Sequence, residues 1–171
     1  MALPFQIADS LRACLEAALA GATAPAEVCV RAGQEVPLNV GGTQDECCSG
    51  LGWVRVVSIT PVSADGINDP ADNACVAVEQ VVQFELGVAR CMPFGDRAAG
   101  PNCDQWNAVA LLIDEDARAM RRAVCCYADT TDPDFGPVSR VRGGLWEPLE
   151  FSGGCAGGTM QMTVLMSCGD C

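Results

Sequence analysis

The stretch from Ala74 to Met92, ACVAVEQVVQFELGVARCM, keeps a two-residue alternation over almost its whole length. Val76, Val78, Gln80, Val82, Phe84, Leu86 and Val88 fall on one side, and Ala77, Glu79, Val81, Gln83, Glu85, Gly87 and Ala89 on the other. Successive side chains of a strand point to opposite faces, so this period describes a strand with one buried face. At roughly 3.3 Å per residue the stretch would reach about 60 Å, too long for one flat strand in a small domain. A bulge or bend is therefore expected near Gln80 or at Gly87, or two strands joined there. The stretch reads as a central strand whose even face the rest of the chain must cover.

The other elements follow from spacing and punctuation. A first helix is expected from about Gln6 to Ala20, because Ile7, Leu11, Cys14, Leu15, Ala18 and Leu19 recur at helical spacing. Gly21 is placed to end it, and Pro25 prevents a restart. Ala26 to Val30 suits a short strand, and Gly41 to Gly50 is a loop by composition. Gly52 to Thr60, GWVRVVSIT, reads as a strand stopped by Pro61, with Val54 and Val56 on one face and Trp53, Val57 and Ile59 on the other. Strands with two apolar faces are interior or lie at a subunit contact. Ser63 to Asn73 is a polar connector, and Asp104 opens a second helix that runs to about Tyr127. Its apolar stripe is Trp106, Val109, Ala110, Ile113, Ala117, Met120, Val124 and Tyr127.

Asp114, Glu115 and Asp116, then Arg118, Arg121 and Arg122, read as a solvated charged face placed as the helix dipole favours. Val138 to Arg142 suits a short strand before a loop at Gly143 and Gly144. Thr159 to Cys168 alternates again, after a turn or tight backbone approach at GGCAGG, Gly153 to Gly158. Helix, strands, helix, strands in this order predict a single α+β domain over 1-171, with a mainly antiparallel sheet and two main helices packed on one face.

Composition narrows the chemistry. At 171 residues the chain suits one domain that buries about 70% of its unfolded surface. Half of its residues are hydrophobic, which requires either a rich core or apolar surface at subunit contacts. The formal charge is −12, from 22 acidic and 10 basic residues, and every basic residue is Arg. Such a balance opposes any site that grips nucleic-acid phosphates. With no His, Ser/His and Cys/His nucleophile systems and mixed Cys/His zinc sites are excluded. With no Lys, a phosphate loop of the G-x-x-x-x-G-K type is excluded too. No catalytic, cofactor-binding or metal residues are therefore assigned, no cofactor is expected, and the protein is expected not to be an enzyme.

The first residues, MALPFQIADS, lack a basic segment, and Asp9 interrupts any apolar run, so a soluble, non-secreted protein is expected. The uncharged run from Phe151 to Gly169 holds five glycines and reads as loop and strand, not as a membrane span.

Twelve cysteines remain to be placed. Without an export signal a disulfide framework is not the default. Cys168 and Cys171 have C-x-x-C spacing, but after a strand, where no helix N-terminus lowers the thiol pKa. A zinc site would need four thiolates, for which Cys47 and Cys48 with Cys168 and Cys171 are the available set. Cys14 reads as a small buried hydrophobe on the first helix. Cys125 and Cys126 point about 100° apart on the second helix, so each is expected to meet a sheet cysteine rather than its neighbour. A handful of disulfides is open to the protein in an oxidising medium.

The opening helix with Leu11, Cys14 and Leu15, then GLGWVRVVSITP, FELGVARCMP, the helix end CCYAD and GGCAGG before TMQMTVLMSC, together resemble a group of tail-assembly proteins. These belong to long-tailed phages that infect actinobacteria, and the nearest named role is the tail terminator. The resemblance implies an α+β fold with an antiparallel sheet. It also implies a structural virion protein forming a homo-oligomeric ring, a hexamer, that caps the tail tube. Implied partners are the major tail tube protein on one ring face and the head-to-tail stopper or connector protein on the other. DNA would meet the ring only in transit through its lumen, and no membrane is involved. The implied location is the neck at the top of the tail, after assembly in the host cytoplasm. Under this reading the loops Gly41 to Gly50 and Ser63 to Asn73 are expected to make ring-to-ring contacts, and the strand Gly52 to Thr60 contacts between neighbouring subunits. The alternatives are another neck component, a head-to-tail stopper or adaptor, and a cysteine-based metal-binding or redox module.

Overall fold

The computed structural model describes residues 4–21, 23–33, 49–62, 79–92, 100–129, 138–150 and 154–167. The elements are α1 (Pro4–Ala18), β1 (Glu27–Val30), β2 (Leu51–Val62), β3 (Glu79–Cys91), α2 (Cys103–Asp129), β4 (Val138–Pro148) and β5 (Cys155–Ser167). The strands form one sheet in the order β1-β2-β3-β5-β4. Only β1 and β2 run parallel; every other neighbouring pair is antiparallel. This is an α+β fold. The long alternating stretch supplies β3, the middle strand, and its residues before Glu79 lie outside the described residues.

Val82, Phe84, Leu86 and Val88 of β3 are fully buried, as their even spacing requires. They form one cluster with Met160, Met162 and Val164 of β5, with Ile7, Leu11 and Leu15 of α1, and with Met120, Ala123 and Val124 of α2. Both helices therefore cover the same sheet face. Each such side chain removed from water contributes about 1.5–3 kcal/mol.

The break expected within β3 lies in its neighbour instead. β3 pairs with β5 in unbroken register from Glu79↔Ser167 to Cys91↔Cys155, while β2 carries a bulge between Val56 and Ser58. Gly87 is not a bend. A Cβ there would sit 2.1 Å from the Trp53 ring, so the glycine makes room for an indole lying across the strand. β2 also continues through Pro61 to Val62, contrary to the expected stop. Among the described residues β1 pairs only with Leu51 to Val54, so the second half of β2 has no strand on its outer side. A missing N–H is tolerated on such an edge.

Two further boundaries move for the same kind of reason. The pair Gly143 and Gly144 is a register irregularity inside β4 rather than its end, and the strand runs on to Pro148. Most of GGCAGG belongs to β5, not to a turn before it. A Cβ on Gly157 would lie 1.9 Å from the carbonyl oxygen of Val88, and one on Gly158 would lie 2.3 Å from the Trp146 ring. Close approach is thus what Gly157 and Gly158 serve, while Gly154, at φ 82°, belongs to a turn.

α2 begins one residue before Asp104, and its cap is Asn102. Asn102 Oδ1 accepts from the Gln105 backbone N–H, and Gln105 Oε1 accepts from the Asn102 N–H, both at 2.9 Å. This reciprocal pair satisfies two donors at the helix start. At 27 residues α2 is about 40 Å long. Its fully buried residues all lie between Asp116 and Tyr127, so the first half reaches beyond the part of the helix packed on the sheet.

Cys14 is not a free hydrophobe: it is disulfide-bonded to Cys126, with a Cα–Cα distance of 5.9 Å. Cys126 therefore meets the facing helix rather than a sheet cysteine, and Cys125, its neighbour, is a free exposed thiol. The bridge spans a sequence separation of 112, so it restricts the unfolded chain over a long loop. Cys91 and Cys155 are disulfide-bonded as well. Replacing Cys14 and Cys126 by Ala is expected to cost about 2–4 kcal/mol. Denaturant unfolding of the double variant checks this, and an unchanged midpoint would refute it.

Candidate interaction surfaces

No catalytic constellation is assembled among the described residues, and no group of three or more His, Cys, Asp or Glu side chains there is arranged to hold a metal ion. The candidate zinc and redox cysteines Cys47, Cys48, Cys168 and Cys171 lie outside the described residues. So do most of the loop Gly41 to Gly50 and all of the connector Ser63 to Asn73. No helix among the described residues is long and apolar enough to cross a membrane. What the chain does present is a set of surfaces.

The first is the sheet face opposite the helices. Trp53, Leu51, Ala89 and Cys155 form a small second core at one end of it. Beside them Arg55 makes a two-pronged ion pair with Glu85, Nε to Oε1 at 2.7 Å and Nη2 to Oε2 at 2.8 Å, while Trp53 Nε1 donates to the same carboxylate at 3.1 Å. Towards the other end Gln83 Nε2 donates to Gln161 Oε1 at 2.6 Å, and the Ser58 hydroxyl donates to Gln83 Oε1 at 3.3 Å. Beyond that apolar end, the face is a hydrogen-bonded polar layer.

Burial by itself would raise the Glu85 carboxyl, but the hydrogen bonds from Arg55 and Trp53 and the charge of Arg55 outweigh it, and the group lies below its ordinary value of 4.5. A carboxyl lowered by folding stabilises the fold fully above its unfolded value and loses that contribution as pH falls through the folded one. The melting temperature is thus expected to fall as pH drops below 4.5. In Glu85→Gln that part of the acid-induced fall should disappear. Identical acid profiles for the two proteins would rule out the contribution.

The second surface is a cleft of about 270 Å³ between the end of α1 and the middle of α2, bordered by Thr23, Arg90, Asp116, Arg118 and Arg122. Asp116 is only 3% exposed, so the expected solvated charged face fails at this position. Its carboxylate accepts from Arg90 Nε at 2.9 Å and Nη2 at 2.7 Å, and Arg90 Nη1 donates to the Thr23 carbonyl at 2.7 Å. The signal for its burial was its place four residues before Met120, on the stripe that packs inward. Arg118 pairs with Asp114 as an exposed helix couple, and Arg122 donates to the Ala18 carbonyl at 3.0 Å, capping α1 from the neighbouring helix. Arg90 and Arg122 thus hold the helices and the end of β3 together, while the pair of Arg118 stays within α2.

The third surface is the first half of α2. The stripe expected to be core is only partly covered there: Val109 and Ile113 are half-buried, Ala110 is exposed and Trp106 is 41% exposed. Leu111, on the polar side of the same segment, is 66% exposed. The fourth surface is formed by the sheet edges. The outer half of β2 exposes Val57 and Ile59, and β4 exposes Leu145 in its irregular segment. No protein-family model matches the chain, and comparison with curated proteins gives no match.

Proposed function

We propose that the protein is a structural ring subunit, a tail terminator that caps the tube of a long phage tail and joins it to the head-neck connector. The observation that carries this reading is the apolar stripe of α2, which continues for about two turns before the part of the helix that its own sheet buries. A stripe of this kind costs solubility unless another surface covers it. Ring stacking and lateral contact between subunits supply such cover. The α+β fold with an antiparallel sheet is the one the family resemblance implies, and the polar sheet face suits a protein that works by contact. In this reading the partners are further copies in a hexamer, the tail tube protein and the head-to-tail stopper. DNA passes the lumen without being held, in keeping with a charge of −12.

Particles assembled without this protein test the reading. Loss of a terminator leaves tubes that grow past their normal length and carry no heads. Loss of a stopper or adaptor instead leaves tails of normal length beside filled heads that leak DNA. Overlong tubes support the proposal; tails of normal length overturn it in favour of the neighbouring neck role.

A further inference from the structure

Most of the described arginines are used inside the chain: Arg12 with Asp9 and Glu16, Arg55 with Glu85, Arg90 with Asp116, Arg118 with Asp114, and Arg122 with a helix end. Arg140 and Arg142, like Arg121 on α2, are different. Both β4 arginines are exposed, and neither has an ion pair or side-chain hydrogen bond among the described residues. They stand two residues apart on β4, so they share one face of the sheet, the face opposite the helices. Two such cations, close together on a sheet edge of a chain carrying −12, are a local reversal of the protein's own charge.

The complement lies one strand in from the opposite edge, on β3. Across the sheet Arg140 aligns through Leu165 and Val81 with Thr60, and Arg142 through Thr163 and Gln83 with Ser58. The arginines are thus level with the half of β2 that has no outer strand among the described residues, where Ile59 is 50% exposed. Glu79 lies at this same end, paired with Val62, on the same face as the arginines. It too has no ion pair among the described residues.

We propose that β4 of one copy docks against the outer half of β2 of a second copy, with Arg140 and Arg142 reaching the Glu79 carboxylate across that strand. Two β4 edges would bring four arginines together and repel, so like edges do not pair. Unlike edges avoid that repulsion, and a head-to-tail contact of this kind forms a ring where the rotation between copies closes. Apolar cover comes from Val57 and Ile59 on one side and Leu145 on the other. The inference rests on the ring reading above and names the lateral surface that would build it.

The test uses full-length protein in three forms: wild type, Arg140→Glu/Arg142→Glu, and Glu79→Arg, followed by native mass spectrometry and sedimentation. Each variant alone is expected to associate roughly a hundredfold more weakly than wild type, because like charges then face each other. Circular dichroism and melting temperature should be unchanged, since these side chains make no ion pair or side-chain hydrogen bond among the described residues. Mixing the two variants should restore association, in complexes that alternate the two chains, because every contact is again between opposite charges. Variants that assemble as wild type does would overturn the docking surface while leaving the ring standing. Weakened variants that fail to rescue each other would overturn the pairing with Glu79. Retention of DNA by the wild type, lost in Arg140→Glu/Arg142→Glu with assembly unchanged, would assign the arginines to phosphates and overturn it as well. A wild type that stays monomeric would count against the ring reading itself.

Discussion

Asp116→Ala is expected to lower the unfolding free energy by about 3–5 kcal/mol, one of the two largest effects a single substitution should have on this fold. The change removes both acceptors from the Arg90 fork, yet Arg90 stays buried, with the Thr23 carbonyl as its remaining partner among those that fix it. A buried cation without its counter-charge bears the full cost of having left water. The loss also loosens geometry, because Arg90 ties the end of β3 to α2 and to the turn after α1. Gly50 packs its backbone against the same guanidinium, where a Cβ would meet Arg90 Nη1 at 2.9 Å. Replacing both partners with apolar residues, as in Arg90→Met/Asp116→Leu, should cost far less than either single change. Urea unfolding measures the shift in midpoint at constant slope. A loss under about 1 kcal/mol in Asp116→Ala would mean that water reaches the pair.

Gly157→Ala should be comparably severe, at about 3 kcal/mol or more, although it adds a single methyl group. The added carbon would fall 1.9 Å from the Val88 carbonyl oxygen and 3.0 Å from the Ala89 Cα, both backbone atoms of the central strand. A flexible side chain could swing aside, but backbone can yield only by separating β3 from β5. Those two strands carry the longest unbroken register in the sheet. Gly21→Ala is the matched control: it meets nothing within 4 Å and is disfavoured only through its φ of 146°. Its expected cost is about 1 kcal/mol. Thermal and denaturant unfolding of the two variants side by side would test the difference. Equal losses would show that the sheet relaxes around position 157.

Both effects concern residues whose importance spacing alone conceals. Asp116 sits among Asp114, Glu115 and Arg118, so by composition it reads as one more solvated charge. Its angle on the helix places it with Met120 and Val124, and only the arrival of Arg90 from a strand 26 residues away makes that position tenable for a carboxylate. Gly157 reads as part of a turn because glycine pairs usually mark one. The close crossing that requires it depends on β5 lying beside β3, which no local pattern announces. The disulfide Cys14–Cys126 is hidden in the same way. Each cysteine shows its own helix face, but the meeting of those faces depends on how two helices 112 residues apart cross.

α2 shows the converse case. Its 3-4 spacing identifies the face that packs inward from Met120 to Tyr127, but Trp106 and Ala110 at the other end of the same stripe are exposed, because spacing says which side chains seek cover, not what provides it. Pro61 makes a similar point for strands: a proline ends an interior strand, but whether a strand is interior depends on how far its neighbour runs.

Periodicity and composition suffice for the two helices, the central strand and its buried even face, the α+β class, and the exclusion of histidine and lysine chemistry. Those properties follow from the fixed periods of helix and strand and from which functional groups the chain possesses. Only the tertiary structure decided the sheet order, the site of the bulge, the Arg90–Asp116 pair, the helix-to-helix disulfide and the exposed arginines of β4. Each of these depends on residues far apart in the chain meeting in space, and pairwise contact at long separation leaves no local period to read.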